Sequence, residues 1–270
     1  MDFSKVKMVV TDMDGTLLDS NHNVSEDFLT LFPKLKENNV QFVAASGRQY
    51  QSMVDKLSTI KDDIYIIAEN GGITKHRGKL LDIEAFNFEK VKEIIPILRE
   101  IKDTLIVLCS ANNAYIETTN KEFLSFFKQY YTTYEIVEDL TQLKDVEILK
   151  IAVRHTVSSE EFIHPFVTNL YKDKDILLKI SGQHWLDISS VKCNKGNALQ
   201  KLQKQLNITE KETMVFGDYN NDIEMLQLGH FSYAMKNAHP DVKKVARFET
   251  KSNADGGVEE VIEHLLIDKK

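Results

Sequence analysis

Four short apolar runs, residues 6–11, 40–45, 64–68 and 213–216, constrain the fold of this chain more than any other feature. Each is continuously apolar or nearly so and rich in β-branched or aromatic residues, the signature of strands buried on both faces of a parallel sheet. Helical periodicity lies between them. In SEDFLTLFPKLKEN, residues 25–38, Phe28, Leu31, Phe32 and Leu35 recur at i, i+3, i+4 and i+7. Ser25 suits the N-cap of that helix, and Val24 can staple onto Leu29. Pro33 predicts a kink or a broken turn inside it. In KGNALQKLQKQL, residues 195–206, Ala198, Leu202 and Leu206 share one face. Strand, helix, strand in succession predicts an α/β fold, a doubly wound and mainly parallel sheet.

The residues that close each run are chemically richer than a turn requires. The first run ends in Asp12-Met13-Asp14-Gly15-Thr16, the second in Ser46-Gly47-Arg48, the third in Asn70-Gly71-Gly72, and the last in Gly217-Asp218-Tyr219-Asn220-Asn221-Asp222. Taken singly, each has a plainer reading. Asp-Gly marks turns, Ser46 can cap the next helix, and Asn221 or Asp222 can cap the helix carrying Ile223, Met225 and Leu226. Lys195 alone reads as a solvated lysine. Parallel sheets, however, bind ligands beyond the carboxyl ends of their strands, and four such endings on one edge make a candidate site. Alternation along a strand turns Asp12 and Asp14 to one side and Met13 to the other, while Gly15 lets the backbone approach an anion. Adjacent carboxylates repel, so a nearby cation, or a proton on one of them, is expected. Asp218 and Asp222 add oxygen ligands, and an oxygen-rich set without Cys or His suits Mg²⁺ better than zinc.

Composition narrows the function classes. Of 270 residues, 42% are hydrophobic and 28% charged, as in ordinary globular proteins. No apolar stretch approaches the ~20 residues of a membrane helix. The N-terminal apolar run is too short for a signal peptide. Two cysteines, Cys109 and Cys193, supply neither a disulfide framework nor a thiolate metal site and read as small buried residues. A cytoplasmic protein is expected. The net charge of −7 argues against a nucleic-acid surface and requires any phosphate site to gather positive charge locally. The eight histidines show no metal-ligand spacing. Arg48 reads equally as a contact at the site edge or a structural salt bridge, and Trp185 reads as packing rather than a ligand platform.

Together the motifs resemble the haloacid dehalogenase superfamily of phosphohydrolases. DMDGT matches its first motif, Ser46 in AASGR the second, Lys195 in NKG the third and GDYNND the fourth. Asn70-Gly71-Gly72, AMKNA and SNADGGV are similar to the Cof-type branch, so the resemblance covers essentially the whole chain. It implies a core sheet with an inserted α/β cap domain. Between Asp12 and Ser46 lie 34 positions, between Lys195 and Asp218 only 23, but between Ser46 and Lys195 there are 149. The cap is therefore expected at residues 84–188, with the core formed by 1–83 and 189–270. Within the cap, strands are expected at 105–109, 114–117, 148–153 and 176–180, and helices at 121–131 and 159–171.

The resemblance also implies roles. Asp12 would be the nucleophile, forming an aspartyl-phosphate. Asp14 would protonate the leaving alkoxide and then activate water, a role that suits a carboxyl group kept protonated by a carboxylate beside it. Mg²⁺ would sit on the Asp12 side chain, the Asp14 carbonyl and Asp218, with Asp222 acting directly or through water. Lys195 supplies local positive charge, and Ser46, the Met13 and Gly47 amides and Asn221 would hold phosphate oxygens. The implied substrate is a small phosphorylated metabolite, a sugar phosphate first. Alternatives are a phosphorylated cofactor such as pyridoxal phosphate or flavin mononucleotide, a phosphomutase reaction, or non-catalytic binding of a phosphometabolite. A P-type ATPase is disfavoured by Asp14, where those proteins carry Thr, and by the lack of apolar membrane segments. Candidate cap residues for substrate selection, Tyr115, Glu117, Arg154 and His184, are not ranked by the sequence.

Overall fold

The four apolar runs become neighbouring parallel strands. The computed structural model describes residues 2–128, 131–172, 174–181 and 183–269. In chain order the strands are β1 (Met8–Asp12), β2 (Gln41–Ala45), β3 (Tyr65–Ala68), β4 (Ile73–His76) and β5 (Lys79–Ile83). Then come β6 (Thr104–Ser110), β7 (Ala114–Ile116), β8 (Tyr134–Ile136), β9 (Ile148–His155), β10 (Ile176–Ile180) and β11 (Trp185–Ser190). The last are β12 (Thr213–Gly217), β13 (Phe231–Ala234) and β14 (Phe248–Glu249).

Two sheets result. The first runs β14-β13-β12-β1-β2-β3-β4-β5, parallel from β14 to β3 and extended by the antiparallel β4 and β5. The second runs β10-β11-β9-β6-β7-β8 and is antiparallel except between β7 and β8. The expected insertion of residues 84–188 contains all of this second sheet except the last two residues of β11.

Burial explains the sequence patterns. Every residue of β1 and β12 is buried, because helices cover both faces of the centre of the first sheet. Strand β6 is likewise buried at all but its first position, with its two sides in different clusters. Leu105, Val107 and Cys109 pack with Phe127 and Tyr131, whereas Ile106 and Leu108 turn to Val91, Ile94 and Leu98 of the helix Phe88–Arg99. That helix, the β4–β5 hairpin and β11 lie outside the four apolar runs, since their apolar patterns are shorter or mixed.

The helix Glu26–Glu37 starts where expected, with Ser25 Oγ accepting from Phe28 N at 3.1 Å. It is not broken at Pro33. The proline ring lies on the exposed face, where the carbonyl it leaves unpaired meets water and the helix can bend. Pro96 in Phe88–Arg99 is accommodated in the same way. The expected helix over 159–171 is, by contrast, divided. Ser159–Phe162 and His164–Val167 are separate short helices, followed by a 3₁₀ turn, because Pro165 lacks the N–H that would continue the first and instead sits in the first turn of the second. The helix expected over 121–131 spans Lys121–Phe127, and positions 129 and 130 lie outside the described residues.

One glycine joins β3 to the helix carrying Lys195. Gly71 has φ +95°, and a Cβ there would sit 2.3 Å from the Asn194 carbonyl, at the N-cap of Lys195–Leu206. Gly78 also has positive φ (+72°) but faces open space. Gly71→Ala is therefore expected to destabilise the chain by well over the ~1–2 kcal/mol of a left-handed residue, whereas Gly78→Ala costs only that backbone term. Urea denaturation of the two variants checks the difference.

Candidate active site

Strands β1, β2, β3 and β12 end at one edge of the first sheet and deliver their polar termini to one place. Met13 is fully buried in the core beneath, pointing away from the two flanking aspartates as alternation requires. Lys195 opens its helix at the first position and is wholly buried. Its Nζ donates to Asp12 Oδ1 at 2.5 Å and to Asp222 Oδ1 at 2.7 Å. The other oxygen of Asp222 accepts from the amides of Asp218 and Tyr219 at 3.0 and 3.1 Å, so Asp222 braces this loop instead of capping the helix Ile223–Leu226. Thr16 Oγ1 donates to Asp218 Oδ1 at 3.1 Å. Gly15 has φ +82°, and a Cβ there would lie 2.3 Å from Asp218 Oδ2, so only glycine lets Asp218 come this close.

Two segments from the C-terminal part support the loop after β1. Asn237 Nδ2 donates to the Gly15 carbonyl at 2.8 Å, and Asn253 Nδ2 to that of Leu18 at 2.8 Å. These asparagines belong to the AMKNA and SNADGGV segments, whose use is invisible until the fold brings them here.

Charge is distributed unevenly. Burial, reinforced by the carboxylates of Asp222, Asp218 and Asp14, pushes Asp12 well above the usual carboxylate range against the opposing pull of Lys195. Burial and then Asp222 push Asp218 up to about 7. Burial opposes the charge on Lys195, but Asp12 and Asp222 outweigh it and hold the ammonium protonated. Asp14 behaves differently from its neighbours. Burial would raise it, but Arg48 forms a fork across both its oxygens, Nε to Oδ2 and Nη2 to Oδ1, each at 2.6 Å. With His22 Nδ1 3.2 Å from Oδ1, this holds Asp14 below the ordinary aspartate value. The expectation of an Asp14 protonated by its neighbour is therefore not met. Arg48, left open between two readings, is both a site-edge residue and a salt bridge.

The carboxylate oxygens of Asp12, Asp218 and Asp222 lie within 4.8 Å of one another, an all-oxygen cluster suited to a hard divalent cation. The Asp14 carboxylate is turned to Arg48 and is not part of it. Ser46 Oγ accepts from Arg48 N at 3.1 Å and does not cap the helix Tyr50–Lys56, whose N-cap is Gln49. Asn221 Nδ2 donates to Asn70 Oδ1 at 3.0 Å.

Above these residues is a cavity of about 320 Å³. Asp12, Asp14, Ser46, Gly47, Asp218 and Asn221 form one wall. Tyr131, Lys150, Ser181, Gln183, Trp185 and Asp187, from the second sheet and its loops, form the other. Lys195, expected to touch substrate, does not line the cavity; it lies behind Asp12, which does. None of Tyr115, Glu117, Arg154 and His184 lines it. Trp185, read as packing, does line it, with its ring 6.1 Å from that of Tyr131. Lys150 and Asp187 were also missed, although a lysine inside the buried run ILKIAV and an aspartate inside WLDIS each required a partner.

The sequence pattern of the haloacid dehalogenase-like hydrolases matches residues 9–262. The chain belongs to that family. Within that family it is a phosphatase-type hydrolase, with a core and a cap. It is 31% identical to the 5-amino-6-(5-phospho-D-ribitylamino)uracil phosphatase YbjI of Escherichia coli, over 97% of this chain and 96% of that protein. It is 26% identical to phosphatase YwpJ of Bacillus subtilis, over 97% of this chain and all of that one. The crystal structure of SMU.1108c from Streptococcus mutans UA159 superposes with a TM-score of 0.88 at 29% identity, covering 97% of this chain and 99% of that one.

The raised Asp218 fixes a sign. Its native carboxyl keeps a proton up to about pH 7, while the unfolded one loses it near 3.8, so the native state binds more protons between these values. With divalent cations chelated, stability attributable to Asp218 falls as pH rises through that window. Asp218→Asn should therefore gain on the wild type between pH 5 and 7.5 in urea denaturation, and added Mg²⁺ should stabilise the wild type more than the variant at pH 7.5.

Proposed function

We propose that this chain is a Mg²⁺-dependent phosphatase that hydrolyses a small phosphorylated metabolite through an aspartyl-phosphate on Asp12. The observation that carries this reading is the buried Lys195 ammonium between Asp12 and Asp222, set at the strand edge beneath a cavity. An isolated carboxylate repels a phosphate dianion; Lys195 opposes the upward push of burial on Asp12 and aims it, with one oxygen bound and the other available to attack phosphorus. Bound to Asp12, Asp218 and the Asp14 carbonyl, Mg²⁺ would neutralise carboxylate and phosphate charge together. Asp222, occupied by Lys195 and two amides, would position the lysine and the metal loop instead of reacting. Ser46, the Met13 and Gly47 amides and Asn221 would hold the phosphate oxygens.

In the first step Asp12 bonds to phosphorus, the ester P–O bond breaks, and the alkoxide takes a proton from Asp14. In the second, water attacks the acyl-phosphate while Asp14 takes back a proton, which restores Asp12 and releases inorganic phosphate. Asp14 starts this cycle clamped by Arg48. An incoming phosphate dianion offers the guanidinium a competing partner, and loss of the fork raises Asp14 toward the protonated form the first step needs.

For the substrate, the relative named for a ribitylamino-uracil phosphate favours a phosphate on a sugar-like polyol chain, a plain sugar phosphate or one joined to a heterocycle. The cavity suits a small metabolite and not a polymer. The segment 84–188 would act as the cap that selects it. Among the described residues no helix is long and apolar enough to cross a membrane, and both cysteines are free and buried; we place the enzyme in the cytoplasm.

Purified protein with Mg²⁺ should release inorganic phosphate from an aryl phosphate, and chelation should abolish the activity. Asp12→Asn should lose more than about 10³-fold in turnover. Near-normal turnover in that variant would sink the covalent route, and ligand phosphorylation in place of phosphate release would point to a mutase. A panel of sugar phosphates and phosphoribityl compounds then ranks substrates by kcat/KM.

A further inference from the structure

The residue with the most constrained surroundings outside the site proper is Lys150. It lies in β9 of the second sheet, in an otherwise apolar run, and only 3% of its surface is exposed. An ammonium has three N–H donors, and three oxygens surround this one. They are Glu69 Oε2 at 3.0 Å, the Gly47 carbonyl at 3.1 Å and Asp187 Oδ2 at 3.2 Å. Two of these belong to the first sheet's loops and one to β11 of the second. Burial disfavours the charge on Lys150, but Asp187 and Glu69 outweigh it and keep the lysine protonated.

Each partner leads to the phosphate end of the cavity. Gly47 is the residue whose amide is proposed to hold a phosphate oxygen; its carbonyl, in the next peptide unit, is held on Lys150, which restrains the turn that carries the amide. Asp187 Oδ2 also accepts from Asn70 Nδ2 at 2.9 Å, and Asn70 Oδ1 accepts from Asn221 Nδ2 at 3.0 Å. That uses one N–H of the Asn221 amide and fixes the direction of the other. Glu69 and Asn70 both have left-handed backbone, φ 52° and 55°, and precede Gly71 at φ +95°. Two consecutive non-glycine residues at positive φ are strained and persist only where their surroundings over-determine them. The Lys150 contact with Glu69 and the Asn70 contact with Asp187 supply that constraint.

We propose that Lys150 is a positioning residue: it fastens the second sheet onto the phosphate-holding groups of the first, restraining the Gly47 turn through its carbonyl and the Asn221 amide through Asp187 and Asn70. The proposal rests on the phosphatase reading for the identity of the phosphate-holding groups. It extends that reading by giving the cap side of the cavity a part in phosphate binding as well as in substrate choice. Breaking a buried ion pair on one side leaves uncompensated charge, so with Lys150 removed, Glu69 and Asp187 would drive the loops apart.

The test is binding of inorganic phosphate to the full-length protein with Mg²⁺, measured by calorimetry whether or not the protein turns over. Lys150→Met, checked for folding by circular dichroism, should bind phosphate at least about tenfold more weakly than wild type, with Lys150→Arg recovering part of the loss. Aryl-phosphate kcat should fall with it, an effect that a loss of stability alone does not produce in the folded fraction. Folded Lys150→Met with phosphate affinity and kcat within about twofold of wild type would overturn the proposal. Should Lys150→Met not fold, Asp187→Asn, which keeps side-chain size, should weaken phosphate binding several-fold, and unchanged affinity there overturns the proposal equally. Wild type that binds phosphate but hydrolyses nothing would count against the phosphatase reading while these affinities still decide the role of Lys150; wild type that binds none would overturn both.

Discussion

A single buried ammonium organises the catalytic edge of this protein. Lys195 has no exposed surface, and an unpaired charge there would cost several kcal/mol, so the fold must bring anions to it. It finds Asp12 at the end of β1 and Asp222 in the loop after β12, two central neighbours in the sheet. The helix Lys195–Leu206 must then start at this edge, and the close approach of Gly71 to Asn194 lets it do so. The remaining pieces depend on that placement. Asp222 spends its second oxygen on the Asp218 loop, and Asp218 leans over a glycine that nothing larger could replace.

The two aspartates of the first motif differ because their cations differ. Asp12 has a lysine beneath it, out of contact with the cavity, and carboxylates around it. Asp14 has the planar fork of Arg48, which matches both its oxygens and lies at the cavity wall. In the reaction proposed above, a point charge below and a fork to the side would suit a fixed nucleophile and a group that exchanges protons. The second sheet completes this arrangement by inserting its own buried lysine between Glu69, Gly47 and Asp187, so both Arg48 and Lys150 line the cavity around the loop after β2.

Local patterns carried a large part of this into the sequence. Strands β1, β2, β3 and β12 are legible because a strand buried on both faces must be continuously apolar, and the helices Glu26–Glu37 and Lys195–Leu206 because a one-sided surface repeats every three to four residues. The motif residues are legible because they come directly after those strands. Proline was harder to read: Pro33 sits on an exposed face and is tolerated, while Pro165 divides its helix, and the sequence pattern alone does not separate the two cases. Strand β5, exposed or half-buried at the sheet end, and β4, buried but mixing polar residues into ITKH, lack the continuous apolar signal of the centre.

The sequence by itself determined the fold class, the order of the catalytic motifs and the types of group brought to the sheet edge, because these depend on neighbours a few residues apart. Only the tertiary structure decided which cation each carboxylate meets. Arg48 reaches Asp14 across 34 residues, Lys195 reaches Asp12 across 183, and Lys150 reaches Gly47 across 103. Ionisation depends on distance and burial in space, which no local pattern records. That is why the protonated aspartate expected at position 14 proved to be the one held ionised.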